Sequence, residues 1–278
     1  MSNEREHDAM IAAPDVSHRT LDLPHGGLHY VEAGRGDPIV LLHGGHGSWT
    51  HWIANVGPLS ASLRVLAPDL PGFGDSFAPD PGYTIDEYAQ TVAQMIEQLG
   101  LERVTLAGFS FGCVVATAAA ALAAERITRL VLVNAPATGA RNPEVDRIQR
   151  ELSRLARESG LKAGVIGSLR ELQLYDHARI DDEVIALMMQ NVRRTRRITK
   201  DISNERPLQE RLARVRQPLL VLIGRDDHHQ YYRLEERCAG IQAAAPQARI
   251  ERVERCRHWL AFDRADAFNS LVLEFVSG

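Results

Sequence analysis

Short apolar runs that alternate with helix-patterned stretches limit this chain more than any other feature. The runs are PIVLLHG (38–44), RVLAPDL (64–70), RVTLAGFS (103–110), TRLVLVNAP (128–136), QPLLVLIG (217–224) and ARIERV (248–253). A strand apolar at consecutive positions has both faces covered, which is the signature of a mostly parallel sheet. GLHYVEAG (27–34) alternates and reads as one more strand. Between the runs lie helical patterns. Thr84 and Glu87 form a capping box, and Ile85, Tyr88, Val92, Met95 and Leu99 then recur at three- and four-residue spacing up to Gly100. Residues 111–124 are alanine-rich, and Phe268, Leu271, Val272 and Phe275 share one face near the C-terminus. Strand and helix alternation of this kind predicts a doubly wound α/β fold.

One stretch breaks the alternation. From Pro136 to Pro218 no strand signal appears, and roughly 80 residues is too long for a bare loop in a compact domain. Val145, Ile148, Leu152 and Leu155 mark one amphipathic helix, and Val184, Leu187, Met188 and Val192 mark another. The expected organisation is a polar leader (1–18), a core (19–136 and 215–278) and an inserted helical lid (137–214).

Composition narrows the function. The 278 residues are 45% hydrophobic and 24% charged, which fits an ordinary water-soluble globular chain. A formal net charge of −4 speaks against a nucleic-acid binder. No run is long enough to cross a bilayer, and MSNEREHDAM lacks the features of a secretory signal. The three cysteines, Cys113, Cys238 and Cys256, are odd in number and widely spaced, so neither a disulfide framework nor a zinc knuckle is expected. The cytoplasm is the natural compartment.

The chemistry concentrates in Gly108-Phe109-Ser110-Phe111-Gly112, between a strand and the alanine-rich helix. A serine on so sharp a turn is exposed above the sheet edge at a helix N-terminus, and small residues two positions away on either side avoid backbone clashes. Its hydroxyl needs a base. His258 lies between the last strand and the last helix. Asp226 and Asp227, just after LLVLIG, both qualify by position as the acid. The backbone N–H groups of Gly45, in His43-Gly44-Gly45-His46-Gly47, and of Phe111 are the expected oxyanion donors. His43 is expected to brace its own loop, His46 to face the pocket, and His177, His228 and His229 to be lid or loop residues. No set of three or four metal ligands assembles, so neither a metal nor an organic cofactor is expected.

HGGHGSWTHW, DLPGFGDS, GFSFG, GRDD and the closing RHW, in this order, resemble the α/β-hydrolase superfamily from about residue 25 onward. The resemblance implies the α/β-hydrolase fold, with Ser110 as nucleophile, Asp227 as acid and His258 as base. DLPGFGDS would support the oxyanion strand. RHWLAFDRADAFNSLVLEFV is similar to the C-terminal part of meta-cleavage product (carbon–carbon) hydrolases, although Phe109 stands where those enzymes usually carry asparagine. The serine argues against dehalogenases and epoxide hydrolases, which use aspartate. The function implied is hydrolysis of a small carbonyl substrate, either a carboxylic ester or the carbon–carbon bond of a vinylogous diketone. Trp49, Phe109, Trp259 and His46 are the expected substrate contacts, while Arg193, Arg194, Arg196 and Arg197 could either clamp a substrate carboxylate or form a solvated basic helix face. The partner is a small molecule, with no nucleic acid and no membrane, and a homodimer is compatible with the reading. The alternative is a small-molecule receptor or non-hydrolytic enzyme that keeps the triad.

Overall fold

The computed structural model describes residues 15–136, 142–203, 208–229 and 232–278. The chain runs β1 (Ser17–Leu23), β2 (Gly26–Ala33), β3 (Pro38–Leu42), α1 (Ile53–Ser60), β4 (Arg64–Pro68), α2 (Ile85–Gln98), β5 (Val104–Phe109), α3 (Phe111–Leu122) and β6 (Ile127–Val133). A helical insertion follows, with α4 (Pro143–Ser159), α5 (Leu161–Ser168), α6 (Asp182–Arg193), α7 (Lys200–Ser203) and α8 (Leu208–Leu212). The chain then returns to the sheet with β7 (Leu219–Gly224), α9 (Leu234–Ala244), β8 (Ala248–Val253), α10 (Leu260–Asp263) and α11 (Ala265–Ser277). The eight strands form one sheet in the order β1-β2-β4-β3-β5-β6-β7-β8. β1 and β2 pair antiparallel, as do β2 and β4, and the remaining pairs are parallel.

Alternate residues of the central strands enter separate apolar layers. Val40, Leu106, Leu132 and Val221 face a layer that includes residues of α2, α3 and α9. Ile39, Ala107, Val131 and Leu222 face another, with residues of α1, α10 and α11. Every residue of β5 and β7 is buried, as a sheet covered on both faces requires. α2 starts at the capping box read from sequence. The Thr84 N–H donates to Glu87 Oε2 at 2.7 Å, and the Glu87 N–H donates to Thr84 Oγ1 at 3.3 Å.

The boundaries differ in detail from those expected. Residues 1–14 of the expected leader lie outside the described residues, while Ser17 and His18 already pair in β1 with Glu32 and Val31. The expected lid start, 137–141, also lies outside them. At the other end, Leu208 and Leu212 of α8 join the apolar layer of α3 and α9, so this helix packs as part of the core. α4 buries only Val145 and Ile148 of its apolar stripe. Leu152 and Ala156 instead line a cavity.

Candidate active site

Register brings the site together. Leu42 pairs with Gly108, Phe109 with Val133 and Gly224 with Val253, so β3, β5, β7 and β8 end along one sheet edge. Ser110 sits on the turn after β5 with φ 50° and ψ −116°, a left-handed conformation that is strained for a side chain with a Cβ. The flanking glycines are required sterically. A Cβ on Gly108 would lie 2.4 Å from the Gly112 carbonyl oxygen, and one on Gly112 would lie 2.2 Å from that of Leu42.

Ser110 Oγ is 3.0 Å from His258 Nε2, and His258 Nδ1 is 2.8 Å from Asp227 Oδ2. Asp227 is fully buried, and its Oδ1 accepts the His229 N–H at 2.9 Å. Burial alone would raise its pKa. The neighbouring His258, the hydrogen bond to it, and His229 outweigh burial and hold the carboxyl below the ordinary range. Asp226 is turned elsewhere, its Oδ2 accepting the Cys256 N–H at 3.3 Å. Asp227, His229 and His258 also place three metal-type ligand atoms within 4.8 Å of one another. Both carboxylate oxygens of Asp227 and both ring nitrogens of His258 already have hydrogen-bond partners: the His229 backbone N–H, the Asp227–His258 contact itself, and Ser110.

The loop after β3 faces the serine. Phe111 is the first residue of α3, so its N–H has no intrahelical partner by position. Gly45 lines the same space beside Thr199, whose Oγ1 would lie 3.1 Å from an added Cβ. The Gly44 N–H donates to His51 Nδ1 at 3.3 Å. Burial, with His43, His258 and His46 nearby, holds His51 well below the usual imidazole range, so its Nδ1 remains an acceptor. His43 braces its loop: Nδ1–H donates to the Gly44 carbonyl at 2.7 Å, and Nε2 accepts the Leu70 N–H at 2.9 Å. Asp69 accepts the N–H groups of Trp49 and Asp75, which joins the 69–76 loop to the oxyanion loop. A cavity of about 930 Å³ opens above Ser110, walled by Phe109, Phe111, Val165, Leu169, Met188 and other side chains of the insertion.

Residues 39–271 match the Alpha/beta hydrolase family. The chain belongs to the alpha/beta hydrolase family. Over 271 residues it is 30% identical to 2-hydroxy-6-oxo-6-phenylhexa-2,4-dienoate hydrolase of Burkholderia cepacia, covering 90% of this chain and 91% of that one. It is 30% identical over 273 residues to 2-hydroxy-6-oxononadienedioate/2-hydroxy-6-oxononatrienedioate hydrolase of Comamonas testosteroni, with the same coverage. Its fold matches naproxen esterase (carboxylesterase NP) of Bacillus subtilis with TM-score 0.81 at 19% identity, covering 96% of this chain and 94% of that one.

Several expected substrate contacts of this alpha/beta hydrolase lie elsewhere. Phe109 and His46 line the cavity, but Trp49 and Trp259 do not. Trp49 turns its ring edge to His18, with centroids 5.7 Å apart. Trp259 is buried, stacks on Phe262 at 4.4 Å and donates its Nε1–H to the His51 carbonyl at 2.8 Å. This bond ties it to the segment that follows the 43–48 loop. Of the two readings left open for Arg193, Arg194, Arg196 and Arg197, a carboxylate clamp at the cavity does not fit, since none of them lines it. Arg194 pairs with Asp75 at 2.8 Å, Arg196 donates to the carbonyls of Gly74 and Ser76, and Arg197 donates to that of Tyr83. These arginines fasten the insertion to the 72–83 segment.

Other residues carry roles that sequence reading did not assign. His229, expected as a loop residue, lies with its ring 4.6 Å from that of His258 and lines the cavity. Buried Asn134 ties the acid loop to the base loop. Its Oδ1 accepts the Gly224 N–H at 2.8 Å, and its Nδ2 donates to the His258 carbonyl at 2.8 Å. Buried Asn191 of α6 accepts from Ser48 Oγ at 2.8 Å, which joins the insertion to the oxyanion loop. Adjacency of His229 to GRDD was a signal for the first. The two asparagines leave none, because their partners are distant in sequence.

Proposed function

We propose that this chain is a serine hydrolase acting on a small carbonyl substrate in the cytoplasm. One observation carries the reading: the continuous hydrogen-bonded chain from Ser110 through His258 to buried Asp227, at 3.0 and 2.8 Å. His258 Nε2 takes the Ser110 proton as Oγ attacks the carbonyl carbon. Asp227 fixes the imidazole tautomer and stabilises the imidazolium. The N–H groups of Gly45 and Phe111 hold the tetrahedral oxyanion. His258 then protonates the leaving group, which is oxygen in an ester and carbon in a vinylogous diketone. Water releases the acyl group by the same steps in reverse. The named relatives, hydrolases of 2-hydroxy-6-oxo dienoates, support hydrolysis of a carbonyl substrate, and the apolar cavity walls suit a bulky apolar acyl or aryl portion. Three free cysteines, all buried, fit a reducing compartment.

The test is labelling with a fluorophosphonate, together with turnover of short nitrophenyl esters and decay of a dienoate chromophore. Labelling and turnover should both vanish in Ser110→Ala. Labelling that persists in that variant overturns the assignment, and saturable binding without turnover selects the receptor alternative. Ester turnover with no dienoate decay assigns ester chemistry.

A further inference from the structure

The chain as a whole carries a net charge of −4, yet its cavity has the opposite local balance. Among the described residues the lining holds four arginines, Arg150, Arg154, Arg157 and Arg237, against one carboxylate, Asp146. Arg237 is buried and donates Nε–H to the Tyr232 carbonyl at 2.8 Å. The other three stand exposed on α4 at i, i+4 and i+7, so they form a strip about 10 Å long at 1.5 Å rise per residue. Charge elsewhere on α4 is largely cancelled. Arg147 bonds both Glu144 and Glu151, leaving that side of the helix internally paired. Of the three lip arginines, only Arg154 approaches a carboxylate, that of Glu158, at 3.9 Å and in the open. Arg150 and Arg157 have no carboxylate within ion-pair distance among the described residues. Other side chains that line the cavity, such as Leu152, Val165, Leu169 and Met188, are apolar.

We propose that Arg150, Arg154 and Arg157 form an anion-recruiting lip, and that the substrate has an apolar body and an acidic group remote from the scissile carbonyl. The acidic group is a carboxylate or a phosphate. The apolar part fills the cavity towards Ser110, and the acidic end rests on the α4 strip. A molecule that is acidic overall repels anions at long range. A cationic strip at the mouth reverses the field locally and raises the encounter rate of an anionic substrate. Because the arginines are exposed, the effect operates within a screening length of about 8 Å at physiological salt and fades as salt rises. This inference rests on the hydrolase reading of the same cavity. It moves recognition of the acidic group from residues 193–197 to α4.

The experiment uses the full chain and nitrophenyl esters in matched pairs. One member ends in a methyl group and the other in an ω-carboxylate, over a range of chain lengths; a third arm ends in an ω-phosphonate. At about 20 mM salt, some chain length should show kcat/KM at least tenfold higher for an anionic member than for its neutral partner, falling steeply by about 500 mM. In Arg150→Gln/Arg154→Gln/Arg157→Gln that anionic-to-neutral ratio should drop at least tenfold and lose its salt dependence. Arg193→Gln should leave the ratio as it is. The better of the two anionic arms names the acid. An unchanged ratio in the triple variant, or no anionic preference at any length, overturns the lip. If no ester is cleaved, it is the hydrolase reading that has failed. Calorimetric titration of a long dicarboxylate then reads the lip by itself, and equal affinity in wild type and triple variant overturns it.

Discussion

The sheet-edge wall of the cavity and the helical wall across from it are built by different means. On the sheet side, Ser110, His258, Asp227 and the 43–48 loop are fixed by buried hydrogen bonds and by glycines pressed against backbone oxygen. On the helical side, α4 carries two buried residues in 17, and most of its other residues are exposed. The walls are joined by hydrogen bonds and ion pairs, among them Asn191 on Ser48, Arg194 on Asp75, Arg196 on the 73–76 carbonyls, and the Leu172 and Gln173 carbonyls accepting the N–H groups of His258 and Trp259, and by Val165, Leu169, Val184 and Met188, which share the apolar layer of α1, α10 and α11. Chemistry that tolerates little misplacement is on the rigid wall. The helical wall, with more of its residues exposed, has room to vary.

The largest expected contrast lies within the rigid wall. Asp227→Asn should lower kcat by about 10⁴-fold, because the amide no longer holds the productive tautomer of His258. Asp226→Asn should change kcat by only a few-fold, since this side chain meets the Cys256 N–H and not the imidazole. Steady-state kinetics on a nitrophenyl ester decides between them, and the reverse ranking removes Asp227 from the triad.

Glycine replacements contrast the two walls directly. Gly112→Ala would put a Cβ 2.2 Å from the Leu42 carbonyl oxygen, which cannot yield without moving β3. A loss of at least about 3 kcal/mol is expected in urea unfolding, at the upper end of overpacking costs. Gly167→Ala in α5 meets the far end of the Leu155 side chain at 3.3 Å and, more closely at 2.5 Å, the far end of the Leu152 side chain. That side chain faces the cavity and can rotate, and alanine favours the helix by roughly 0.5–1 kcal/mol, so the change should be near neutral. Equal losses at both sites would mean that the helical wall is packed as rigidly as the sheet edge.

Protonation probes the rigid wall alone. Burial holds His43 and His51 below the ordinary imidazole pKa, and the groups facing His51, namely His43, His258 and His46, all oppose its protonation. With the folded pKa depressed below the unfolded value of about 6.5, the unfolded chain binds more protons below that pH. Stability is therefore full above about pH 7.5 and is lost as pH falls below about 6.5, by up to about 1.4 kcal/mol per unit for each histidine. His51→Gln should be less stable at neutral pH yet show a shallower fall in Tm between about pH 7 and 5. The same slope as wild type would mean that His51 takes up no proton on unfolding.

How much of this was legible in the sequence depended on how local its cause was. Seven of the eight strands and the Thr84–Glu87 cap rest on local pattern and appear where the pattern put them, whereas β1, mostly exposed at the sheet edge, carries no apolar run and was not read from the sequence. The G-x-S-x-G turn is also local, since Gly108 and Gly112 clash with backbone through the turn itself and through β3. Trp49 and Trp259 misled because an aromatic residue near a motif carries no mark of which way it turns. Only the fold shows His18 beside one and the His51 carbonyl beside the other. Which way the arginines turn was undecided in the sequence for a related reason. Residues 193–197 follow the apolar face of α6 out of the helix and onto the 72–83 segment, whereas 150, 154 and 157 are spaced to share one side of α4.

The smallest effect concerns how the two walls are tied. Arg194 and Arg196 are near neighbours with unlike partners. Arg194 forms an ion pair with Asp75 in which both side chains are about half exposed, at 44% and 56%. Pairs of this kind contribute about 0–1 kcal/mol, and salt weakens them. Arg196 instead donates to the carbonyls of Gly74 and Ser76, while its own N–H donates to Gly72 at 2.8 Å. Hydrogen bonds from a charged donor to partly buried carbonyls contribute more, and their loss leaves those oxygens without a partner that water easily replaces. Arg196→Ala is therefore expected to cost about 1 kcal/mol, with little dependence on salt. Arg194→Ala should cost less than about 0.5 kcal/mol, and nothing at high salt. Urea unfolding at low and high salt separates the two. If Arg194→Ala is the costlier change, the surface ion pair ties the walls together and the carbonyl contacts of Arg196 are incidental.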